Sequence, residues 1–316
     1  MDLETANVVA KTRSGCLGRR FQVNRADVRE AGMRVGTYRD AERFLKRTQA
    51  ALEANEAANN LMLGVCLGLQ REPDLVESPP CLKTVDDGTD LVLAAMMTPP
   101  YKLVVYGHRG DLAEGARALV GDLVGAGWEV PGVLGPREVA RRVAEAWSGA
   151  TDQRHELERR QRVYELRHAR ISAPVRGRLR QAAEDDVELV ARWRRAFHYE
   201  VFGRPARVGD RRALELAMGR GDVYLWQDER PVSMAQTSRP TRNGISVSFV
   251  YTPPALRRRG YATACVAELS RLLVASRYDY CTLFADLAND SANRMYRRIG
   301  YQPACDCNEY AFHVET

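Results

Sequence analysis

Lysine is nearly missing from this chain: among 316 residues only Lys11, Lys46, Lys83 and Lys102 carry an ammonium group. The formal charge of +6 and the pI near 9 therefore rest on arginine, and the arginines are mixed with acids, as in Glu156-Leu-Glu-Arg-Arg-Gln-Arg. A nucleic-acid footprint would be clustered, so charge alone gives no nucleic-acid partner. No apolar run is long enough to cross a bilayer, and Met1-Asp-Leu-Glu lacks the basic and apolar regions of a signal peptide. No membrane partner and a cytoplasmic location are expected. Cysteine is sparse and odd in number, at positions 16, 66, 81, 265, 281, 305 and 307, which excludes a full disulfide framework. Cys265 and Cys281 fall in a predicted helix and strand and read as small buried hydrophobes. Cys305-Asp-Cys307 has no matching cysteine or histidine pair after it, so no metal site is expected. The Walker loop and the three-glycine dinucleotide pattern are also absent, which argues against a nucleoside triphosphatase and a nicotinamide dehydrogenase.

What is present is concentrated between Ile245 and Gly300. Ile245, Val247, Phe249 and Tyr251 alternate with Ser246, Ser248 and Val250, the period of a strand with one buried face. Pro253 and Pro254 stop the ladder, since proline has no N–H to donate. After Arg257-Arg-Arg-Gly260, the residues Ala262, Val266, Leu269 and Leu273 share one face of a predicted helix. Strand, glycine turn and helix form an anion-binding layout: the first N–H groups of a helix lack partners and carry the positive end of its dipole. Gly260 and Ala262 leave room for a phosphate to approach them.

Arg257-x-x-Gly260-x-Ala262 after a strand resembles the coenzyme A pyrophosphate loop of the Gcn5-related N-acetyltransferases. Asn289, followed by Tyr296 and Gly300-Tyr301, resembles their second motif, and the match runs from about Arg178 to Thr316. The resemblance implies acetyl-CoA as cofactor and direct attack of an amine on its thioester. It implies backbone N–H groups near Val250 and Tyr251, freed at a strand bulge, as the oxyanion hole. Arg257, with Arg258, Arg259, Gly260, Tyr261 and Ala262, would hold the phosphates, Asn289 would bond the pantetheine or cap its helix, and Tyr296 would protonate the leaving thiolate. Candidates for the base are Asp286, at the end of the strand 279–287, and Glu200 with His198, at the end of a helix lining the acceptor side. Asp286 also reads as a cap for the helix that follows, and Glu200 and His198 as a solvated helix end.

Before this region, residues 1–32 show no periodicity and read as a tail or start-site artefact, with Met33 a plausible start. A helix follows Tyr38-Arg-Asp40, another begins at Asn59, strands are expected at 91–97 and 102–106, and a helix at 112–123. The order recurs at helices 187–201 and 212–218 and strands 223–226 and 232–236. In the first of these, Val190, Trp193, Phe197 and Val201 form the apolar face. Locally, Ala95-Met-Met-Thr-Pro-Pro before Leu103-Val-Val-Tyr106 resembles Ala235-Gln-Thr-Ser-Arg-Pro before Ser248-Phe-Val-Tyr251. The expected fold is α/β, two tandem acetyltransferase-like domains at 33–170 and 171–316, each with a mixed, mostly antiparallel sheet flanked by helices. The boundary is expected near Ala169 to Gly177.

The first copy has Gly107-His-Arg-Gly110-Asp-Leu where the phosphate loop should be, and no later Asn-to-Tyr motif. It resembles the degenerate partner of a tandem subgroup, expected to wall the acceptor site or form a homodimer. The whole then reads as an N-acetyltransferase acting on a small-molecule or peptide amine. The alternatives are a non-catalytic acyl-CoA-binding or scaffold module, which needs no proton donor at Tyr296, and a salt-sensitive nucleic-acid binder.

Overall fold

The computed structural model describes residues 32–73, 76, 78–170, 175–203 and 210–314. The tail expected at 1–32 lies almost wholly outside them, as do four residues of the boundary segment. In the first half the elements are β1 (Arg34–Thr37), α1 (Ala41–Glu53), α2 (Glu56–Arg71), β2 (Cys81–Asp86), β3 (Leu91–Met97), β4 (Leu103–Gly107), α3 (Leu112–Gly125), β5 (Gly132–Pro136), α4 (Arg137–Ala150) and β6 (Gln153–Leu166). The second half repeats the order: β7 (Arg178–Gln181), α5 (Val187–Phe202), α6 (Asp210–Gly219), β8 (Val223–Asp228), β9 (Arg230–Ser238), β10 (Gly244–Tyr251), α7 (Tyr261–Ser276), β11 (Tyr280–Asp286), α8 (Asp290–Ile299) and β12 (Gln302–Val314).

Local chemistry sets several of these boundaries. Asp40 ends the extended segment and caps α1 by accepting from Arg43 N at 2.8 Å. Gly300, at φ 116°, closes α8 in the left-handed conformation that glycine adopts at no steric cost.

The two expected sheets are one. Twelve strands run in the order β1-β2-β3-β4-β5-β12-β6-β11-β10-β9-β8-β7. The order is palindromic because each half donates its last strand to the other: β12 lies antiparallel on β5, from Cys307↔Pro136 to Ala311↔Gly132. In return β6 lies on β11, from Cys281↔Leu166 to Asp286↔Gln161. The exchanged strands then pair with each other, from Gln302↔Glu165 to Val314↔Gln153. Neither half keeps an open edge at the junction, where unpaired N–H and C=O groups would otherwise face solvent.

Each half has apolar clusters on both faces of its part of the sheet. In the second half, α7 and α8 cover Ile245, Val247, Cys281 and Leu283 on one side, while α5 and α6 cover Val223, Leu225, Met234 and Tyr251 on the other. The one-faced strand expected at 245–251 is therefore corrected: Gly244 to Val247 are all buried, because helices lie on both sides. The apolar face of α5 also stops short of expectation, for Val201 is 39% exposed beside an exposed Tyr199 and Phe202. Helix α2 of the first half reaches across to the turn between β9 and β10. There Asn243 N donates to Glu56 Oε1 at 3.0 Å and Asn60 Nδ2 donates to the Arg239 carbonyl at 3.1 Å.

Candidate functional site

Strand β10 parts from its neighbour in mid-course. Its parallel pairing with β11 covers only Gly244↔Tyr280, Ile245↔Cys281 and Ser246↔Thr282. On the other side its register with β9 shifts between Ser248↔Gln236 and Tyr251↔Met234, and Phe249 inside that bulge has φ 48°. An extra residue in one strand bends it and leaves backbone groups outside the ladder. The expected Val250 and Tyr251 lie in or just after the bulge. Tyr251 is fixed there: its carbonyl accepts from Ser233 Oγ at 3.1 Å and its ring packs 6.2 Å from that of Trp193.

Beyond β10, a single 3-10 turn at Pro254–Leu256 leads through Arg257, Arg258 and Arg259 to Gly260, the N-cap of α7 at φ 84°. Gly260 has no side chain with which to cap, so the first N–H groups of α7, those of Tyr261, Ala262 and Thr263, have no side-chain acceptor among the described residues. Backbone donors and the positive dipole end face outward together, a fit for a phosphate. Arg257 does more than line this turn. Its Nε donates to the Thr252 carbonyl at 2.8 Å and its Nη2 to both oxygens of Glu200 at 2.9 and 2.7 Å. Two residues expected in different roles, phosphate attraction and proton abstraction, thus form one ion pair. Tyr261 donates its hydroxyl to Asp228 Oδ2 at 2.7 Å, and that carboxylate holds the phenol pKa above its usual value.

Tyr296 lies on the inner face of α8, 7% exposed, with its ring 6.2 Å from that of Tyr164 and 5.9 Å from that of Tyr301. Burial pushes its pKa up to about 12, so the hydroxyl keeps its proton across the physiological range. Asn289 caps α8 by accepting from Ala292 N at 3.0 Å. Behind it, Asn293 Nδ2 donates to the carbonyls of Asp286 and Asn289 at 2.7 and 2.8 Å and Oδ1 accepts from Tyr164 Oη at 2.9 Å. Sequence reasoning passed over Asn293, though its helical spacing from Asn289 placed it on the buried face. Asp286 turns its Oδ1 to Ala288 N at 2.8 Å and lies 3.8 Å from Arg159. His198 is set among the rings of Phe197, Phe202 and Phe249.

The first half differs in its strand register and in its helix cap. β3 and β4 pair without a register shift, from Leu93↔Gly107 to Met96↔Val104. β4 does part from β5, after Val104↔Leu134, beside a void of about 20 Å³ lined by residues including Asn59, Met62, Tyr106 and Phe284. Helix α3 is capped: Asp111 Oδ1 accepts from Ala113 N at 2.8 Å and Glu114 N at 3.0 Å.

Residues 228–311 match the family model described as FR47-like protein. No curated protein matches the sequence. Among solved structures, a Drosophila protein superposes with a TM-score of 0.62 at 14% identity, over 89% of this chain and 99% of that one. A Gcn5-related N-acetyltransferase from Sphaerobacter thermophilus gives 0.58 at 16% identity, over 88% and 95%. A tandem protein of that family from the clavulanic acid biosynthesis pathway gives 0.55 at 12% identity, over 89% and 98%. The fold is therefore that of the Gcn5-related acetyltransferases in tandem form.

Proposed function

On a chain with this fold, we propose an acetyl-CoA-dependent N-acetyltransferase that passes the acetyl group directly to a primary amine of a small molecule or peptide. The carrying observation is the gap in the second half: β10 leaves β11 after Ser246, bulges at Phe249 and runs into a helix with an uncapped N-terminus. The N–H groups at the start of α7 would accept the pyrophosphate, with Arg258 and Arg259 adding charge. Backbone groups near Val250 and Tyr251 would polarise the acetyl carbonyl as it gains negative charge. Asn289 keeps its amide Nδ2 for the pantetheine while Oδ1 caps α8.

In the transfer, the amine nitrogen bonds to the carbonyl carbon, the C–S bond breaks, and the sulfur takes up a proton supplied by Tyr296. The amine's own proton passes to water, since Glu200 is taken by Arg257 and Asp286 by Ala288 N and Arg159. The capped α3 and the regular β3–β4 pair support a first half, residues 33–170, that binds no cofactor and instead walls the acceptor side through α2. Thermal unfolding tests the reading: acetyl-CoA at about 100 times its dissociation constant adds roughly 2.7 kcal/mol and should raise the midpoint by a few degrees. No shift at millimolar acetyl-CoA overturns it.

A further inference from the structure

The acceptor side of the gap is polar where packing alone would make it apolar. Cross-strand partners in the registers Ser246↔Ser238, Ser248↔Gln236 and Ser246↔Thr282 place five polar side chains on one sheet face, under α2 and α5. The corresponding face of the first half, in the registers Ala94↔Tyr106 and Met96↔Val104, is an apolar cluster. Burying hydroxyls and amides is costly unless something bonds them. Ser248 Oγ meets that cost within the sheet, 3.2 Å from Ser238 Oγ and donating to the Gln236 carbonyl at 3.3 Å, but Thr282 is fully buried and its Oγ1 has no partner among the described residues.

A cation stands at the same place. Arg239, in the turn after β9, donates from Nη2 to Ser246 Oγ at 2.8 Å and lies 3.5 Å through Nε from Asn60 Oδ1. A guanidinium has five N–H donors, so two neutral partners leave most of its fork open. Among the described residues it pairs with no carboxylate. The carboxylate that α2 brings to this turn, Glu56, bonds Asn243 at 3.0 and 2.6 Å. Arg239 is half-buried, deep enough that its pKa falls to about 10 through desolvation, and its backbone sits at φ 50°. The position is over-determined: a Cβ on Gly64 of α2 would come within 2.4 Å of Arg239 Cβ. Beside it, Arg194 Nη1 donates to Gln236 Oε1 at 3.1 Å with its guanidinium 4.2 Å from the centre of the Phe249 ring.

We infer that Arg239 binds a carboxylate of the acceptor, with Thr282 completing the bonds, so that the substrate is an amino acid or another amine carrying a carboxylate. The inference rests on the acetyltransferase reading and names its acceptor class. A planar fork with open donors matches a carboxylate through two parallel bonds. The apolar ring of Phe249 and the gap beyond Ser248 lie further along the same strand, toward the place where the amine would meet the thioester.

The test uses the full chain and a panel of free amino acids, each against its C-terminal amide, read by thiol release with acetyl-CoA and by thermal shift. The acids should show a KM at least about tenfold lower than the amides, the difference made by one charge-assisted pair. R239Q should remove that preference while leaving the acetyl-CoA thermal shift unchanged. Because Arg239 is partly structural, T282V supplies a second arm: it should raise KM for the acids by more than for the amides, with the acetyl-CoA shift retained. A panel in which no acid outperforms its amide, in turnover or in binding, overturns the inference. An absent acetyl-CoA shift instead strikes the underlying reading.

Discussion

Asp111 and Gly260 stand at corresponding points of the two halves, each at the start of the helix that follows the fourth strand. Asp111 folds its carboxylate onto the N–H groups of α3, so that half supplies its own anion. Gly260 supplies none, and among the described residues no side chain takes the first donors of α7. The strands before them differ in one respect, β4 regular against β3 and β10 bulged against β9, while both part from their parallel neighbours, β4 from β5 as β10 from β11. One scaffold thus carries two opposite solutions to the orphan donors of a helix, a side-chain cap in one half and, on the proposed reading, a binding device in the other. On that reading the absence of cofactor from α3 would follow from a bond already made by Asp111.

The sharpest break of this contrast is Gly260→Glu, which copies the self-supplied carboxylate into the second half. It should abolish acetyl-CoA binding, read by thermal shift, while Gly260→Ala, with the same backbone strain and no charge, separates the two causes. If G260E still binds, the phosphates lie elsewhere. Tyr296→Phe should cost about a hundredfold in turnover with the acetyl-CoA shift retained. It also has a signature in stability. With the folded pKa at about 12 and the unfolded value near 10, wild-type stability is fully present below pH 10 and is lost as pH rises to 12. The loss from this one group is about 2–3 kcal/mol, and Y296F should be spared it in denaturant titrations across that window. The mildest change is Asp111→Ala: loss of the cap should cost about 1 kcal/mol, a few degrees in midpoint, without creating a second acetyl-CoA equivalent. A second equivalent would mean that Asp111 alone had closed the first half.

The sequence was most legible where elements obey one short-range rule. The limits 91–97 for β3 and the start of α5 at 187 follow from apolar runs and a preceding acidic turn, and the caps at Asp40 and Asn289 are visible as residue types. β1, β2, β5 and β12 were not expected, nor was α4. β2 and β5 are short strands buried on both faces, without alternation to mark them, and β12 is stretched through a polar run, Asp306 to Glu309, that is satisfied by long-range pairing. The exchange of β6 and β12 has no local signal at all, since either strand could have paired within its own half. The ion pair of Glu200 with Arg257, residues 57 positions apart, and the cation at Arg239 are likewise products of tertiary placement.

The strand exchange bears on how the chain can be made. A nascent chain synthesised as far as Ile299 has every helix of both halves, yet β5 still lacks its inner neighbour and β6 lacks one of its two. Only β12, the last element in order, closes both at once. The first half can therefore complete its sheet only once β12 has been made, as the register of Val314 on Gln153 requires. Cleavage of the connection between β6 and β7 would then release no half as a separate body, because each fragment would still hold the other's edge.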